Sequence, residues 1–559
     1  DKLLAPRHAV QHLFPMRPVQ LMILFSTLCV GMGVGCGKAG KTKEGSGGGT
    51  LIEKGKQVLR LGNGSEPEGL DPHIVTGVPE HFILAALLEG LLGENPKTLA
   101  PEPGVAERWE VSKDGREYTF HFRANAKWTN GDAVKAGDFA YSYERMLTPE
   151  MATKYGYMLH VLKNAKAFNE GTLKDFSKVG VKAVDDRTLV LTLAEPTPYF
   201  LQLVNHYSWY PVHPPTIKKF GGMSKRDSQW TQPKNFVGNG SFRLKEWKLN
   251  EHILVEKNPT YWDADKVRLE KIYFLPISSA ETEEKMFRDN QLHVTQTIPL
   301  TRIEHYQKKE PELLRVDPYL GTYFYRVNVN HKALKDKRVR QALAMAINRY
   351  EITRFVMKAG QIPAYYMTPP NTAGYTSQAK FVFDPARARQ LLAEAGYPGG
   401  KGFPKIDVYY NTSEAHKQVA EALQQMWKKT LQIDVGLFNQ EWKVYLDTVN
   451  KIKYDVARAG WIGDYNDPNT FLDMWLTGGG NNQTGWSNAR YDQLIQEASQ
   501  TSNPAARFEK FQKAEAILLD EMPVIPIYFY VSLTLVKPNV RGWYPNILDH
   551  HPYKYIHLE

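Results

Sequence analysis

The stretch NAKWTNGDAVKAGDFAYSYERML, residues 125–147, sets an Asn-Gly pair just after the β-patterned segment EYTFHF. Asn-Gly suits a tight turn that needs positive φ, so the segment reads as a strand end followed by a hairpin-type turn. The same alternation of elements continues on both sides. QVLRLGNG (57–64) reads as a strand ending in a turn, and EHFILAALLEGLL (80–92) has helical apolar spacing followed by turn signals. TLVLTLAEPTPYF (188–200), EHILVEKNP (251–259) and KIYFLPI (271–277) are β-branched strand candidates. Longer helices are predicted at 336–357, 384–397, 414–431 and 506–521, with Asp384 and Ser413 placed as N-caps. No repeat of roughly 20–50 residues appears, and from residue 56 onward nothing resembles a linker. The pattern is that of a mixed α/β protein with mixed sheets. Its 559 residues exceed one core, so two or three domains are expected.

Composition narrows the function. The chain is 42% hydrophobic and 23% charged, with 12 Trp, 30 Tyr and 24 Phe. Trp and Tyr join an apolar body to a polar tip, which suits interior polar surface such as a ligand cleft. The formal charge is +10, yet lysines and arginines are scattered among acids, as in DKVRLEK and SYERML. A nucleic-acid binder concentrates its charge, so no nucleic-acid partner is expected. The two cysteines, Cys29 and Cys36, lie near the N-terminus, so the body needs no disulfide and offers no thiol chemistry.

Residues 16–36, MRPVQLMILFSTLCVGMGVGC, combine a basic Arg17 with an apolar stretch too short and Gly-rich for a comfortable membrane span. The segment resembles a bacterial lipoprotein signal, with Cys36 as the lipidated residue, although Gly33 stands where Leu is usual. An ordinary secretory leader is the alternative, and Met16 is a candidate start. Residues 36–51 then read as a flexible Gly/Ser/Lys tether. GCGKAGKT (35–42) fits the phosphate-cradling pattern G-x-x-x-x-G-K-[ST]. That chemistry needs a strand before and a helix after, and the EGSGGG that follows cannot start one. A P-loop NTPase is therefore a remote alternative.

With GLDPH (69–73), NGSFRLKEW (239–247) and NPTYWDADK (258–266), the 125–147 stretch resembles the peptide/nickel-binding (family 5) solute receptors of ABC importers. VDPYLGTYFYRVN (316–328), YNTSEAHKQVA (410–420), NQEWKVYLDT (439–448) and VARAGWIGDYNDP (456–468) are similar to its oligopeptide-binding branch. The resemblance runs from about residue 56 to the C-terminus. It implies a two-lobed periplasmic-binding-protein type II fold with an extra N-terminal domain and hinge closure over ligand. Residues 52–320 and 532–559 would form the first lobe, with the extra domain at about 91–214, and 321–530 the second. GTYFYR (321–326) and IYFYV (527–531) would be the crossings. The implied function is an extracytoplasmic receptor, periplasmic or lipid-anchored at Cys36, monomeric, without cofactor or metal. Its implied partners are short peptides and an ABC permease. No HExxH, GxSxG or Cys/His cluster suggests an enzyme.

The chemistry centres on DVARAGWIGDYNDPNTFL (455–472). A general peptide importer must hold both peptide ends and the backbone while ignoring side chains. The resemblance implies Asp464 as partner of the α-ammonium, a charge-assisted bond. It implies Arg458 as partner of the C-terminal carboxylate of shorter ligands, and His416 for another ligand length. It implies Trp461 and Trp442 as pocket walls, Tyr155, Tyr319 and Tyr530 as cleft-lining aromatics, Val78 as a backbone contact, and Gly460 and Ile462 as further ligand-binding residues. Read from the residues alone, Asp464 and Asp467 would be Asx-turn residues before Pro468, His416 an exposed residue of a helix's first turn, and the tryptophans core. Arg458, between small residues, is the hardest to read as scaffold, because it implies a buried charge needing a partner. The chain departs from the family at the side-chain pockets. Thr76 and Arg326 stand where better-known members carry acids, Met357 where they carry Lys, and Gly321 and Ile462 where they carry a cysteine pair. Arg326 is thus expected to favour acidic peptide side chains. Murein peptide, nickel chelate and haem are alternative ligands for the same fold, and an ammonium partner at Asp464 argues against the last two.

Overall fold

The computed structural model describes residues 55–559. Cys36, the tether and the 35–42 motif lie outside them. The 125–147 stretch shows why it is diagnostic. Gly131 takes a positive φ of 95°, and Trp128 N–H donates to Asp132 C=O at 2.8 Å, closing the turn. Asp138 then accepts the Lys135 backbone N–H at 2.9 Å and the Trp128 indole N–H at 3.0 Å. One carboxylate thus caps the helix Ala136–Leu147 and fastens the turn to it. That helix buries Phe139, Tyr143, Met146 and Leu147, which share one face by helical spacing.

The face packs near a four-stranded antiparallel sheet ordered Ala106–Val111, Glu117–Phe122, Thr188–Thr192, Val181–Asp185. Tyr118, Phe120 and Phe122 alternate into the core. A second four-stranded sheet sets Val58–Gly62 parallel to Lys271–Leu275, followed by His252–Lys257 and Phe242–Lys248. The third sheet has six strands, in the order Ile362–Pro363, Val524–Leu535, Leu314–Val327, Val456–Ile462, Ile406–Asn411, Val435–Gln440.

Two of these strands are long. Leu314–Val327 and Val524–Leu535 pair antiparallel from Leu314 opposite Leu535 to Arg326 opposite Val524. Their register breaks between Pro318 and Thr322 and again between Tyr323 and Phe324. At one end they join an apolar core with Phe287, Ile303 and Tyr306, and at the other a core with Leu343, Trp427 and Ile525. Gly321 lies opposite Ile462, and a Cβ there would come within 2.5 Å of the Ile462 Cδ1.

Two local expectations need correction. The run 336–357 is not one helix. It divides into Lys337–Met345, Arg349–Glu351 and a π-turn over Ile352–Met357. Asn348 is extended, and its side chain accepts the Glu351 N–H, so a local cap outcompetes the continuing helix. Ser413 occupies the N-cap position of Glu414–Leu431, but its hydroxyl makes no capping bond, whereas Asp384 accepts the Arg387 N–H at 2.9 Å.

Candidate functional site

The strand Val456–Ile462 organises the site. On one side it pairs along its whole length with Gly321–Val327. On the other, only Val456 and Ala457 meet a partner, opposite Val408 and Tyr409. From Arg458 onward this second edge has no strand beside it among the described residues, and it borders a cavity of about 160 Å³. Gly460 leaves room on the Arg458 face of this strand, because a Cβ there would lie 2.6 Å from the Tyr530 hydroxyl oxygen.

Segments distant in sequence converge on this cavity. Thr76 and Val78 come from the start of one helix, Trp442 from the start of another, and Tyr155, Tyr319 and Arg326 from loops and strands between them. With Arg458, Gly460, Trp461, Ile462 and Asp464 they line the same space. Three named residues do not. Tyr530 sits behind the wall and accepts an Arg458 Nη2–H at 2.7 Å. His416 lies beyond Tyr323, its Nδ1 3.4 Å from the Tyr323 hydroxyl. It is partly buried rather than exposed. Met357 belongs to the core of Leu343, Trp427 and Ile525, at the end of the π-turn.

Asp464 and Asp467 take different roles. Asp467 is the turn residue. It accepts the Asn469 N–H at 2.9 Å, and both its oxygens receive the Arg507 guanidinium at 2.7 and 2.8 Å. Asp464 is buried and points the other way. Its Oδ2 accepts the Thr470 hydroxyl at 3.1 Å, and its Oδ1 lies 3.3 Å from His206 Nε2. No Lys or Arg of the described residues reaches it. Burial pushes its carboxyl up to about 7, which the Thr470 bond and the nearby His550 only partly oppose.

The histidines are a part of the site that sequence reasoning missed. His206 Nδ1 accepts the Ser208 backbone N–H, so a neutral ring carries its proton on Nε2, facing Asp464. Burial, with His550 nearby, lowers His206 to about 3. His550 also lines the cavity and pairs through Nδ1 with Glu94 Oε2 at 2.8 Å, which raises it despite burial. His81 stacks on His550, with ring centroids 4.8 Å apart. The aromatic run NHYSWY (205–210) and the pair in DHHPY (549–553) are the available sequence signals, but neither has a spacing that names a role.

Arg458 lies over the Tyr323 ring at 4.8 Å and donates to Tyr530, with Asn411 Oδ1 at 3.4 Å. Its Nε has no partner, and no carboxylate of the described residues pairs with it. The cavity therefore holds a buried acid without a strong cation near one end of an open strand edge, and a cation without an anion near the other.

The family profile described as bacterial extracellular solute-binding proteins, family 5, middle, matches residues 100–483. The chain belongs to that family. A relative, the periplasmic oligopeptide-binding protein OppA of Salmonella typhimurium, is 41% identical over 502 residues, covering 87% of this chain and 90% of the relative. The structure of the Escherichia coli murein tripeptide binding protein MppA superposes with a TM-score of 0.86 at 36% identity, covering 91% of this chain and 99% of that one. A structure of MppA in its unliganded open form gives 0.60 at the same 36% identity, covering 92% and 99%. Sequence identity is equal in the two comparisons, so the drop is one of arrangement. The present molecule shares the arrangement of the first.

Proposed function

We propose that this family 5 receptor binds short peptides in the cavity beside Arg458–Asp464 and delivers them to an ABC permease from the periplasmic side of the membrane. The observation that carries this is the unpaired strand edge with opposite unmet charges toward its two ends. An extended peptide adds as a strand, its backbone bonding the edge whatever its side chains. Its α-ammonium meets Asp464 and its carboxylate meets Arg458. Longer ligands reach toward His416. Trp442, Trp461, Tyr155 and Tyr319 wall the groove, and Val78 supplies a backbone contact from the facing side.

In this reading the lobes are 52–320 with 532–559, and 321–530, with the extra domain at about 91–214. The two long strands at 321–326 and 527–531 act as the hinge. The contrast between the two MppA arrangements supports it. Closure dries the cavity, which strengthens every charge interaction inside it. The protein acts as a monomer without cofactor, and Cys36 carries the lipid that holds it at the membrane. One chain would hold weakly, so the family's several chains are needed.

Mass spectrometry of ligand released from natively purified protein tests the reading, followed by calorimetry against peptide, murein peptide, nickel chelate and haem. Co-purifying short peptides that rebind are expected. A nickel chelate or haem as the bound species, with peptides inert, would overturn it.

A further inference from the structure

Buried arginines elsewhere in this fold are answered by oxygen. Arg145 places both terminal nitrogens on Asp71, at 2.6 and 2.9 Å. Arg507 does the same with Asp467. Arg349 meets the carbonyls of Pro526, Ala344 and Ile347 at 2.7 to 3.0 Å, and Arg340 those of Leu334, Lys335 and Glu521. Such pairing is what makes a buried guanidinium tolerable.

Arg326 departs from this pattern, as Arg458 does. It is 7% exposed, yet its one hydrogen bond is a long one, from Nη2 to the Asn481 carbonyl at 3.3 Å. Its Nε has no partner, and no carboxylate of the described residues lies within ion-pair distance. It borders the ligand cavity. Burial, with the cation Arg458 acting in the same direction, holds its guanidinium below the usual arginine range. A planar fork with free donors facing a cavity is the geometry that receives a carboxylate.

Register says where that carboxylate must come from. Arg326 lies opposite Ala457, while Arg458 lies opposite Tyr325. Side chains alternate along a strand, so the two guanidiniums leave opposite faces of one strand pair. Their ring contacts agree, since Arg458 lies over Tyr323 and Arg326 over Phe324. A ligand strand added to the free edge alternates in the same way.

We propose that Arg326 is a second anion subsite, which reads one acidic side chain of the bound peptide from the sheet face opposite Arg458. The proposal rests on the peptide reading of the cavity. It makes the preferred ligand a peptide carrying Asp or Glu at one parity of position, in addition to its terminal carboxylate. Lys at that position meets a like charge and is rejected.

The test is a position walk with the wild-type protein. Tetra-alanine peptides carrying Glu, and then Gln, at each position in turn are compared by calorimetry at low salt. Glu should bind tighter than Gln by on the order of tenfold or more at one position, and its immediate neighbours should show no such preference. Arg326→Gln should bring that ratio close to one, and Arg326→Lys should retain part of it. A wild-type ratio near one at every position would overturn the subsite and leave the peptide reading standing. A ratio that survives Arg326→Gln would also overturn it. Failure of both series to bind at all would remove the peptide reading, and the subsite with it. The wild-type walk needs no variant, so it decides even if the substituted protein folds poorly.

Discussion

At the scale of single residues, Asp464 carries the strongest expectation. Its side chain is only 9% exposed, beside His206 and Thr470 and without a strong cation, so in the proposed reading removing its charge would leave a ligand ammonium buried without a partner. That costs on the order of 3–5 kcal/mol, and Asp464→Asn should weaken peptide binding by roughly two to four decades. N-acetylating the peptide should weaken the wild type similarly and the variant hardly at all, because both changes delete one interaction. Equal binding of acetylated and free peptide to wild type would refute the clamp. Proton linkage gives a second expectation. Free Asp464 sits at about 7, raised by burial, and an ammonium partner lowers it, so binding below that pH expels a proton. Affinity should rise with pH from about 5 to 7, then fall once the peptide amine itself loses its proton near 8. His206 stays neutral throughout this range, and His81 is held neutral by burial. His550, raised by Glu94, supports the ionised carboxylate at the acid end and limits the slope. Calorimetry at pH 6 in buffers of different ionisation heat should count close to one proton released per peptide, and none in Asp464→Asn. Arg458 was legible at this scale because small neighbours exposed its charge as unusual. His206 and His550 were not, since their meaning comes from contacts with residues far along the chain.

At the scale of elements, the proposed reading gives the edge of Val456–Ile462 the work that side chains cannot do for a ligand of arbitrary sequence. Peptides methylated at one backbone nitrogen at a time should therefore show at least one inner position where affinity drops on the order of tenfold, through a lost donor and a steric bar. A scan with no drop beyond twofold would mean that the edge is not used. Most elements could be read from the sequence, because their apolar spacing agrees with their burial. The strands at 117–122, 188–192 and 252–257 and the helix Glu414–Leu431 are examples. The failures share a cause. Asn348 and Ser413 are polar residues able to cap or not cap, and only the surrounding packing decides which. The openness of one strand edge is also invisible to periodicity, because it depends on which neighbour stops early.

At the scale of the whole molecule, the two long strands tie both cores together, and their register breaks fall between Pro318 and Phe324. Bending should concentrate there, where ladder bonds are already interrupted. Small-angle scattering should show a smaller radius of gyration on peptide addition, and Asp464→Asn should need far more peptide for the same change. An unchanged radius at saturating peptide would argue for a rigid groove.

The unpaired edge also bears on how the protein keeps in storage. A strand with free N–H and C=O groups is a template for another chain, and proteins normally blunt or cover such edges. Here Arg458–Ile462 is sheltered inside a crevice, with Gly460 at its middle where a bulkier residue would not fit. Hinge opening would lift that shelter, and peptide would act as a removable edge cover. Protein stripped of ligand should therefore associate through strands faster than the same protein with peptide, at equal concentration and temperature. Light scattering over days, with and without added tripeptide, would measure the difference. The shelf life of this receptor would then be set less by its melting temperature than by whether its cleft is occupied.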